Sequence, residues 1–279
     1  GAIALTHEQR IAAIVDGLAG IAPPFALDCH DTVALVFIDG LSASENHFME
    51  AVYATERFPI LFVGGSAGGT RDLAGTWIYD GRRVLENHAV VVLVKLAPTI
   101  RYGVLKSQNF RKTATSFTIL DADPLRRIVH SVIDRDTLEV IPFVEALCTV
   151  LACAPGEVEA RLTDRTIAIE LNGELFVRSV ARIDPDTGSA AFFCDVNPGD
   201  ELLLVEATDF VAQTAADVAA FLSGKPPPIA GILNDCVLRR LNNSPHLAAM
   251  TMFDGLPVAG FSTFGELLGI NVNQTLSAI

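Results

Sequence analysis

A glycine-rich segment, Gly64-Gly65-Ser66-Ala67-Gly68-Gly69, is the strongest local pattern for ligand contact in the sequence. It follows a short apolar run, and its four glycines in six positions let backbone N–H groups approach an anionic group closely. The segment lacks the Lys-Ser/Thr of a Walker loop and the G-x-G-x-x-G spacing of a dinucleotide site, which disfavours a nucleotide. We expect Gly64, Gly65 and Ser66 to contact a ligand, and a purely structural turn is the alternative.

A second candidate contact is Asp39-Gly40-Leu41-Ser42, where an apolar strand meets a helix. Ligands of open α/β sheets collect at this edge. Asp39 fits ligand binding and an Asx turn equally well. Ser42, with Glu45 three residues later, is better explained as the N-cap of a capping box.

The candidate nucleophiles are weaker. Ser66 and Ser262 lie in glycine-rich segments but lack the Gly-x-Ser-x-Gly frame of a nucleophile elbow. Cys236 lies beside Asp235 and near Arg239-Arg240, which lower a thiol pKa only if they approach it. A small buried residue at the end of a strand is the better interpretation of Cys236.

Metal and haem ligands show no strong spacing pattern. The contiguous Cys29-His30-Asp31 is the exception, but neighbouring side chains on a strand point to opposite faces, so these three cannot converge without a turn. We therefore expect no metal and no cofactor. A single axial histidine to haem needs no spacing motif, and His88, before the most apolar strand, is the candidate for that alternative.

Alternating helix and strand patterns surround these candidates. Thr6-x-x-Gln9 is a capping box that predicts a helix over 7–19, and Phe210–Leu222 has the apolar stripe of another helix. The runs Val33–Ile38 and Ala89–Val94 are typical of strands buried on both faces, and they are far shorter than the ~20 residues of a membrane-spanning helix. Further predicted elements are a glycine-ended strand over 59–63, a helix over 141–152, a hairpin turn at Asn172-Gly173 and a helix near 245–253.

The two ends of the chain carry a similar pattern. At each end, a strand pattern and a helix pattern are followed by Pro–apolar–Gly–x–Ser, which ends at Ser66 in one case and at Ser262 in the other. We predict an α/β protein with mixed sheets and two interlocked halves related by internal pseudo-symmetry, with chance similarity as the alternative. Ligands often bind at such a seam.

Composition limits the partners. The 279 residues are 50% hydrophobic and carry a net charge of −13, and an acidic surface repels nucleic acid and anionic lipid. Five scattered cysteines without a CxxC pair argue against a disulfide framework and for a reducing compartment. The N-terminus has a helix pattern rather than a signal-peptide pattern, so we expect a cytoplasmic protein. A start without Met and an end within a strand pattern suggest a piece of a longer protein.

Three C-terminal stretches occur in a recognisable order: Cys236-Val237-Leu238-Arg239-Arg240, the run from Leu256 to Glu266, and Asn273-Gln274-Thr275-Leu276. Together they resemble the C-terminal FIST domain. The N-terminal half is similar to the partner FIST domain through Asp39-Gly40-Leu41-Ser42 and Val63–Gly68, and the middle through Arg178-Ser179 and Asp195–Asp200. The expected division is a helix and linker over 1–27, an N-terminal FIST-like domain over 28–138 and a C-terminal FIST-like domain over 139–279, with helix one outside the resemblance.

The resemblance implies a non-catalytic, intracellular sensory module of a bacterial signal-transduction protein. Such a module binds a small polar, amino-acid-like metabolite between its halves and acts with a histidine kinase, a chemotaxis-type transducer or a cyclic-dinucleotide enzyme. A homodimer is also expected. A subset of the family is similar to haem-carrying nitric-oxide sensors, which is the first alternative. A hydrolase using Ser66 and a pure dimerisation module are the others.

The expected ligand site joins both ends of the chain around a glycine-lined hollow. Gly64, Gly65 and Ser66 would donate to the anionic group of a zwitterion. The remaining expected contacts are Arg178 or Arg239 as a cationic anchor, Glu266 with Asn273 for an amine, and Asp39 and Ser262 alongside. Both charged groups must be bound together, because either alone leaves a buried charge unpaired.

Overall fold

The computed structural model describes residues 5–69, 75–135 and 137–279, and in these residues six α-helices accompany two large sheets. The helices are α1 (His7–Ala19), α2 (Glu45–Thr55), α3 (Phe143–Leu151), α4 (Val158–Arg161), α5 (Phe210–Leu222) and α6 (Val237–Asn242). The strands are β1 (Thr32–Asp39), β2 (Leu61–Ala67), β3 (Ile78–Tyr79), β4 (Val84–Leu85), β5 (Ala89–Lys95), β6 (Leu105–Ser107), β7 (Phe110–Asp123), β8 (Ile128–Ile133), β9 (Val140–Pro142), β10 (Arg165–Leu171), β11 (Glu174–Arg178), β12 (Val180–Asp184), β13 (Ser189–Phe192), β14 (Glu201–Ala207), β15 (Gly231–Cys236), β16 (Val258–Leu268), β17 (Asn271–Val272) and β18 (Leu276–Ala278).

The first sheet combines strands from both ends of the chain, in the order β5-β1-β2-β16-β15-β18-β6 with β17 paired to β16. β1 runs parallel to β2, and β15 runs parallel to β16. The two parallel pairs meet where β2 lies antiparallel to β16. This arrangement confirms the mixed α/β class and the interlocked halves, while the pseudo-symmetry between the ends stays a prediction.

The second sheet is antiparallel throughout its described strands, in the order β11-β10-β14-β7-β8-β13-β12 with β9 paired to β8. Asn172 and Gly173 connect β10 to β11 with φ angles of 54° and 82°, as a two-residue hairpin turn requires. Strands on either side of the predicted boundary at residue 138 share this sheet.

Each sheet has its own apolar core. α1 and α2 cover the first sheet, where Leu18, Phe48 and Phe62 are buried together. α3 covers the second sheet, and the Phe143 ring packs on the Phe117 and Phe192 rings with centroid separations of 5.9 Å. Polar side chains such as Ser179 and Gln274 lie beside apolar ones such as Leu238 where the two sheets meet.

The N-terminal helix starts as predicted, but α2 does not. The Thr6 hydroxyl accepts from the Gln9 N–H, and the Gln9 side chain accepts from the Thr6 N–H. In contrast, α2 begins at Glu45, and the Ser42 hydroxyl donates to the Asp39 carbonyl at 2.7 Å instead of capping the helix. The capping-box interpretation of Ser42 is therefore wrong.

Two further elements differ from the predictions. Gly64 to Ser66 lie within strand β2 and not in a loop. The glycines allow close strand packing, since a Cβ on Gly64 would lie 1.9 Å from the Val36 carbonyl oxygen and one on Gly65 would lie 2.5 Å from Thr263 Cγ2. The helix predicted near 245–253 consists of two 3₁₀ segments, Ser244–Ala249 and Thr251–Phe253, and α6 was missed before it.

The helices of the described residues are short. α1 and α5, the longest of them, have 13 residues each. None of the described helices has the length and apolar character needed to cross a bilayer.

Candidate functional site

A cleft of about 250 Å³ opens where the two sheets meet, and we call it the seam cleft. One wall comes from the second sheet and α4, and the other from α6 and the segment before β18. The lining residues are Glu159, Leu162, Thr163, Thr166, Ser179, Val180, Ala181, Arg182, Leu238, Asn242 and Gln274. Both walls are therefore needed to form the cleft.

Gln274 ties the two walls together. Its Oε1 accepts from Asn242 Nδ2 at 2.9 Å, and its Nε2 donates to the Ser179 hydroxyl at 3.0 Å. Its backbone has a left-handed φ of 48°, which turns the chain between β17 and β18. Because Gln274 is buried, these amide contacts join the sheets at the base of the cleft.

Opposite charges stand at the rim of the seam cleft. Glu159 of α4 and Arg182 of β12 both line it and both are exposed. One Glu159 oxygen accepts from the Ile183 N–H at 3.2 Å, which holds this side chain against β12. A small molecule carrying a carboxylate and an amine can pair with the guanidinium and the carboxylate together.

A buried polar layer lies behind the cleft. Arg178 Nη1 donates to the Asn271 carbonyl at 2.6 Å, and the Ser179 N–H donates to Asn273 Oδ1 at 3.3 Å. Four buried atoms of this layer have no hydrogen-bond partner among the described residues: Arg178 Nε, Glu266 Oε2, Asn271 Oδ1 and Asn273 Nδ2. A buried polar atom left unpaired costs about 1–3 kcal/mol, so this layer favours a polar guest or ordered water nearby.

Burial disfavours the charged forms of the Glu266 carboxyl in this layer and of the nearby Cys236 thiol. Burial raises the pKa of the Glu266 carboxyl, against the opposing effect of a hydrogen bond from the Thr263 hydroxyl. Burial also raises the pKa of the Cys236 thiol, and the neighbouring Glu266 carboxyl adds to the effect. Glu266 does not line the seam cleft, and its expected role in binding an amine stays a prediction. Cys236 is fully buried and its thiol pKa is raised, which agrees with the interpretation of Cys236 as a small buried residue rather than a nucleophile.

Arg239 is part of the interior and is not part of the cleft lining. Its Nη1 donates to Asp235 Oδ1 at 3.0 Å, and its Nη2 donates to the Thr214 hydroxyl at 2.6 Å. The guanidinium also lies over the Phe210 ring, 4.5 Å from the centroid. These contacts join α5 to α6, and the α6 residues that reach the cleft are Leu238 and Asn242.

Comparison with known protein families identifies the family to which the chain belongs. The FIST N domain matches residues 2–134, and the FIST C domain matches residues 144–268. The chain belongs to the FIST family. FIST domains are sensory domains of signal-transduction proteins, so the chain is a sensory module. The FIST N match includes α1, so the expectation that helix one lies outside the resemblance is wrong. A search of curated proteins found no match.

The predicted contacts of the FIST N domain lie away from the seam cleft. Asp39 accepts hydrogen bonds from the Leu41 N–H at 3.1 Å and from Thr76 and Asn87, which favours the Asx-turn interpretation. Ser66 is buried and donates to Glu45 Oε1 at 2.6 Å. These groups already have partners within the FIST N domain.

The two glycine-containing segments do come together, but as neighbouring strands. Gly65 is paired with Glu266 in the β2–β16 ladder, so the two segments are adjacent strands of one continuous sheet. Ser262 of β16 donates to the Asp235 carbonyl at 3.3 Å. Neither of the two described clefts is lined by Gly64, Gly65 or Ser262, and the glycine-lined hollow stays a prediction.

The charged residues of the seam cleft and Asn242 were missed in the sequence. Glu159, Arg182 and Asn242 come from three separate elements and carry no shared motif. Gln274, in contrast, follows Asn273 within the stretch that carries the family resemblance. Ser179 and Leu238 also line the cleft and lie in such stretches, so these residues could have been proposed from the sequence.

A second cleft, of about 300 Å³, lies beside α1 and α2. His47 lines it, is buried, and has no partner on either ring nitrogen among the described residues. Burial lowers the pKa of His47, so its imidazole is neutral at neutral pH. The His7 ring lies 5.0 Å away and pairs with Glu50 at 3.0 Å.

His88, the candidate haem ligand, is exposed. Its Nδ1 lies 2.6 Å from the Glu86 carbonyl oxygen, and it lines neither of the two clefts. Haem in this FIST module stays an untested alternative.

Proposed function

We propose that this FIST module is a non-catalytic, intracellular sensor that binds a small zwitterionic, amino-acid-like metabolite in the seam cleft. The observation that carries the proposal is the pair of opposite charges, Arg182 and Glu159, at the rim of a cleft with a polar base. Arg182 would bind the carboxylate and Glu159 the amine. Amide and hydroxyl groups of Ser179 and Gln274 would bind the remaining polar atoms.

The size of the cleft supports a small ligand. Sites for drug-sized molecules are typically about 300–1,000 Å³, and the seam cleft is smaller than this range. Its base is formed by hydrogen-bonding side chains, which favours a polar metabolite over an apolar one. The unpaired atoms behind it, such as Asn273 Nδ2, add further hydrogen-bonding capacity.

The position of the cleft supports a role in signalling. Its two walls belong to different sheets, so a ligand that touches both stabilises one relative arrangement over others. The output would be a histidine kinase, a chemotaxis-type transducer or a cyclic-dinucleotide enzyme of a bacterial cell, with a homodimer as the proposed assembly. Five free cysteines support a reducing, cytoplasmic setting.

A thermal-shift screen with amino acids, small organic acids and haem tests the proposal. A ligand present at about 100 times its Kd stabilises by about 2.7 kcal/mol, which corresponds to a rise in melting temperature on the order of 5–10 °C. We expect such a rise with at least one amino acid. Arg182→Ala and Glu159→Gln should each abolish it.

Arg161→Ala is the matched control. Arg161 is an exposed arginine of α4 that does not line the cleft, so its loss should leave the shift unchanged. A shift that survives both cleft substitutions would refute the site. No shift with any amino acid, together with a melting temperature that falls on dilution, would favour a pure dimerisation module.

The two remaining alternatives have their own outcomes. Stoichiometric haem with a Soret band that His88→Ala removes would favour the gas sensor. Ester or peptide turnover lost in Ser66→Ala would favour a hydrolase, although the Ser66 hydroxyl is buried and donates to Glu45.

A further inference from the structure

The segment that leads into β1 folds as a tight turn centred on Cys29 and His30. The Asp28 carbonyl accepts from the Thr32 N–H at 2.8 Å, and the Asp28 carboxylate accepts from the His30 N–H at 2.9 Å. From outside the turn, the Tyr102 hydroxyl donates to the Cys29 carbonyl at 2.6 Å. The backbone of the turn is thus fixed both locally and by a distant residue.

This turn brings three different metal-binding groups together. Cys29 Sγ lies 3.5 Å from His30 Nδ1, and His30 Nδ1 lies 2.7 Å from Asp28 Oδ1. All three atoms lie within 4.8 Å of one another. The sequence pattern predicts no convergence because it assumes an extended strand and takes Asp31 as the third ligand. In the structure the Asp31 carboxylate instead pairs with Lys95 at 2.7 Å.

We propose that Asp28, Cys29 and His30 form a surface site for one divalent transition-metal ion with affinity for sulfur, such as Zn²⁺. In a tetrahedral zinc site with bond lengths of about 2.0–2.3 Å, neighbouring ligand atoms stand roughly 3.4–3.6 Å apart. The observed separation of Cys29 Sγ and His30 Nδ1 matches this spacing. The distance of 2.7 Å between His30 Nδ1 and Asp28 Oδ1 is shorter than this spacing, and an outward movement of the exposed Asp28 carboxylate by less than about 1 Å would reach it.

The types of ligand select the metal. Thiolate and imidazole favour zinc, cobalt and similar ions, whereas Mg²⁺ and Ca²⁺ prefer sites made of oxygen atoms. The metal must displace the Cys29 thiol proton, so binding should strengthen as pH rises. All three side chains are exposed, which leaves a fourth coordination position open to water or to another ligand.

Cys29 also differs from the other cysteines. It is exposed, whereas Cys148 and Cys153 are half-buried and Cys194 and Cys236 are buried. A spectroscopic signature of thiolate–metal bonding in the folded chain therefore reports on Cys29.

Cobalt substitution tests the site directly. The reduced, metal-free chain is titrated with Co²⁺ under anaerobic conditions, and the thiolate-to-cobalt charge-transfer absorption is recorded. We expect saturation at one equivalent and displacement by Zn²⁺. Cys29→Ser should abolish the charge-transfer band, and His30→Ala and Asp28→Asn should each weaken Co²⁺ binding by about tenfold or more.

Two control variants keep the result specific. Cys153→Ser and His246→Ala remove a thiol and an exposed imidazole outside the turn, and neither should change the titration. A charge-transfer band that persists in Cys29→Ser, a band that Cys153→Ser removes, or no band in the unsubstituted chain at millimolar Co²⁺ would each overturn the proposal. Far-UV circular dichroism of each variant verifies the fold.

Discussion

Replacing Arg127 with alanine removes a guanidinium that joins three parts of the chain. Arg127 lies in the turn between β7 and β8, where its Nη2 donates to Glu45 of α2 at 2.9 Å and its Nε donates to Asp195 at 2.7 Å. A third bond, from Nη1, reaches the Phe193 carbonyl at 2.7 Å. Arg127 therefore ties α2, which packs on the first sheet, to the second sheet.

The magnitude follows from the burial of this network. The side chains of Arg127, Glu45 and Asp195 are exposed by only 11%, 7% and 13%. Removing one partner of a buried ion pair leaves an unpaired charge and typically costs about 3–5 kcal/mol. We expect Arg127→Ala to lower the free energy of unfolding by about that amount. The left-handed φ of 58° at this position is equally unfavourable for alanine and arginine, so the backbone contributes little to the difference.

Urea denaturation at pH 7 measures the effect, and Arg126 supplies the control. The Arg126 side chain is 78% exposed, and its nitrogen lies 3.7 Å from the Asp123 carboxylate. Exposed pairs of this kind contribute at most about 1 kcal/mol, so Arg126→Ala should be nearly neutral. Arg127→Lys keeps the charge but loses the multiple hydrogen bonds, and it should fall between the two. Equal, small losses for Arg127→Ala and Arg126→Ala would refute the argument that this network ties the sheets together.

Three further predictions concern stability. The lowered pKa of His47 means that the unfolded chain binds protons more readily than the folded chain, so the free energy of unfolding should fall as pH drops below about 6.5. His47→Gln should remove this pH-dependent component, as measured by urea titrations at pH 7.5 and 5.5. The raised pKa of Glu266 acts in the opposite direction, so the free energy of unfolding should fall as pH rises above about 4.5. A Glu266→Gln variant with the same pH profile as the unsubstituted chain would contradict a raised pKa for Glu266. Gly64→Ala should lower the free energy of unfolding by about 3 kcal/mol or more, because the added Cβ would overlap the Val36 carbonyl. A Cβ on Gly156 meets nothing within 4 Å, so Gly156→Ala should be close to neutral in the same denaturation assay.

Local signals in the sequence predicted several elements well. The capping box at Thr6 fixed the start of α1, the apolar stripe gave α5 its bounds, and Asn172-Gly173 gave the β10–β11 hairpin. In each case the interactions that define the element lie within a few residues of one another. Such patterns can be recognised without knowledge of the rest of the fold.

Elements that depend on distant partners could not be predicted in this way. Ser42-x-x-Glu45 has the spacing of a capping box, but Glu45 is held by Ser66 and Arg127 from other elements. The glycines of β2 have the sequence pattern of a loop, but glycine is required there because Val36 and Thr263 approach too closely to leave room for a Cβ.

The candidate site shows the same division. Arg178 and Asn273 belong to the buried polar layer, and they lie in stretches that carry the family resemblance. Glu159 and Arg182 share the wall formed by α4 and the second sheet, and Asn242 of α6 lies across from them only because the two sheets meet. The spacing of these three residues along the chain contains no pattern that predicts this arrangement. Sequence reasoning therefore reached the neighbourhood of the cleft but not the charges at its rim.

Hydrogen exchange measured by mass spectrometry, with and without the amino acid that gives the largest thermal shift, tests the central claim most directly. If the ligand binds in the seam cleft, peptides covering 159–166, 179–182 and 238–242 should exchange more slowly together, while a peptide covering 89–95 should be unchanged. Protection confined to 64–66, or to one wall of the cleft alone, would contradict a ligand held between the two sheets.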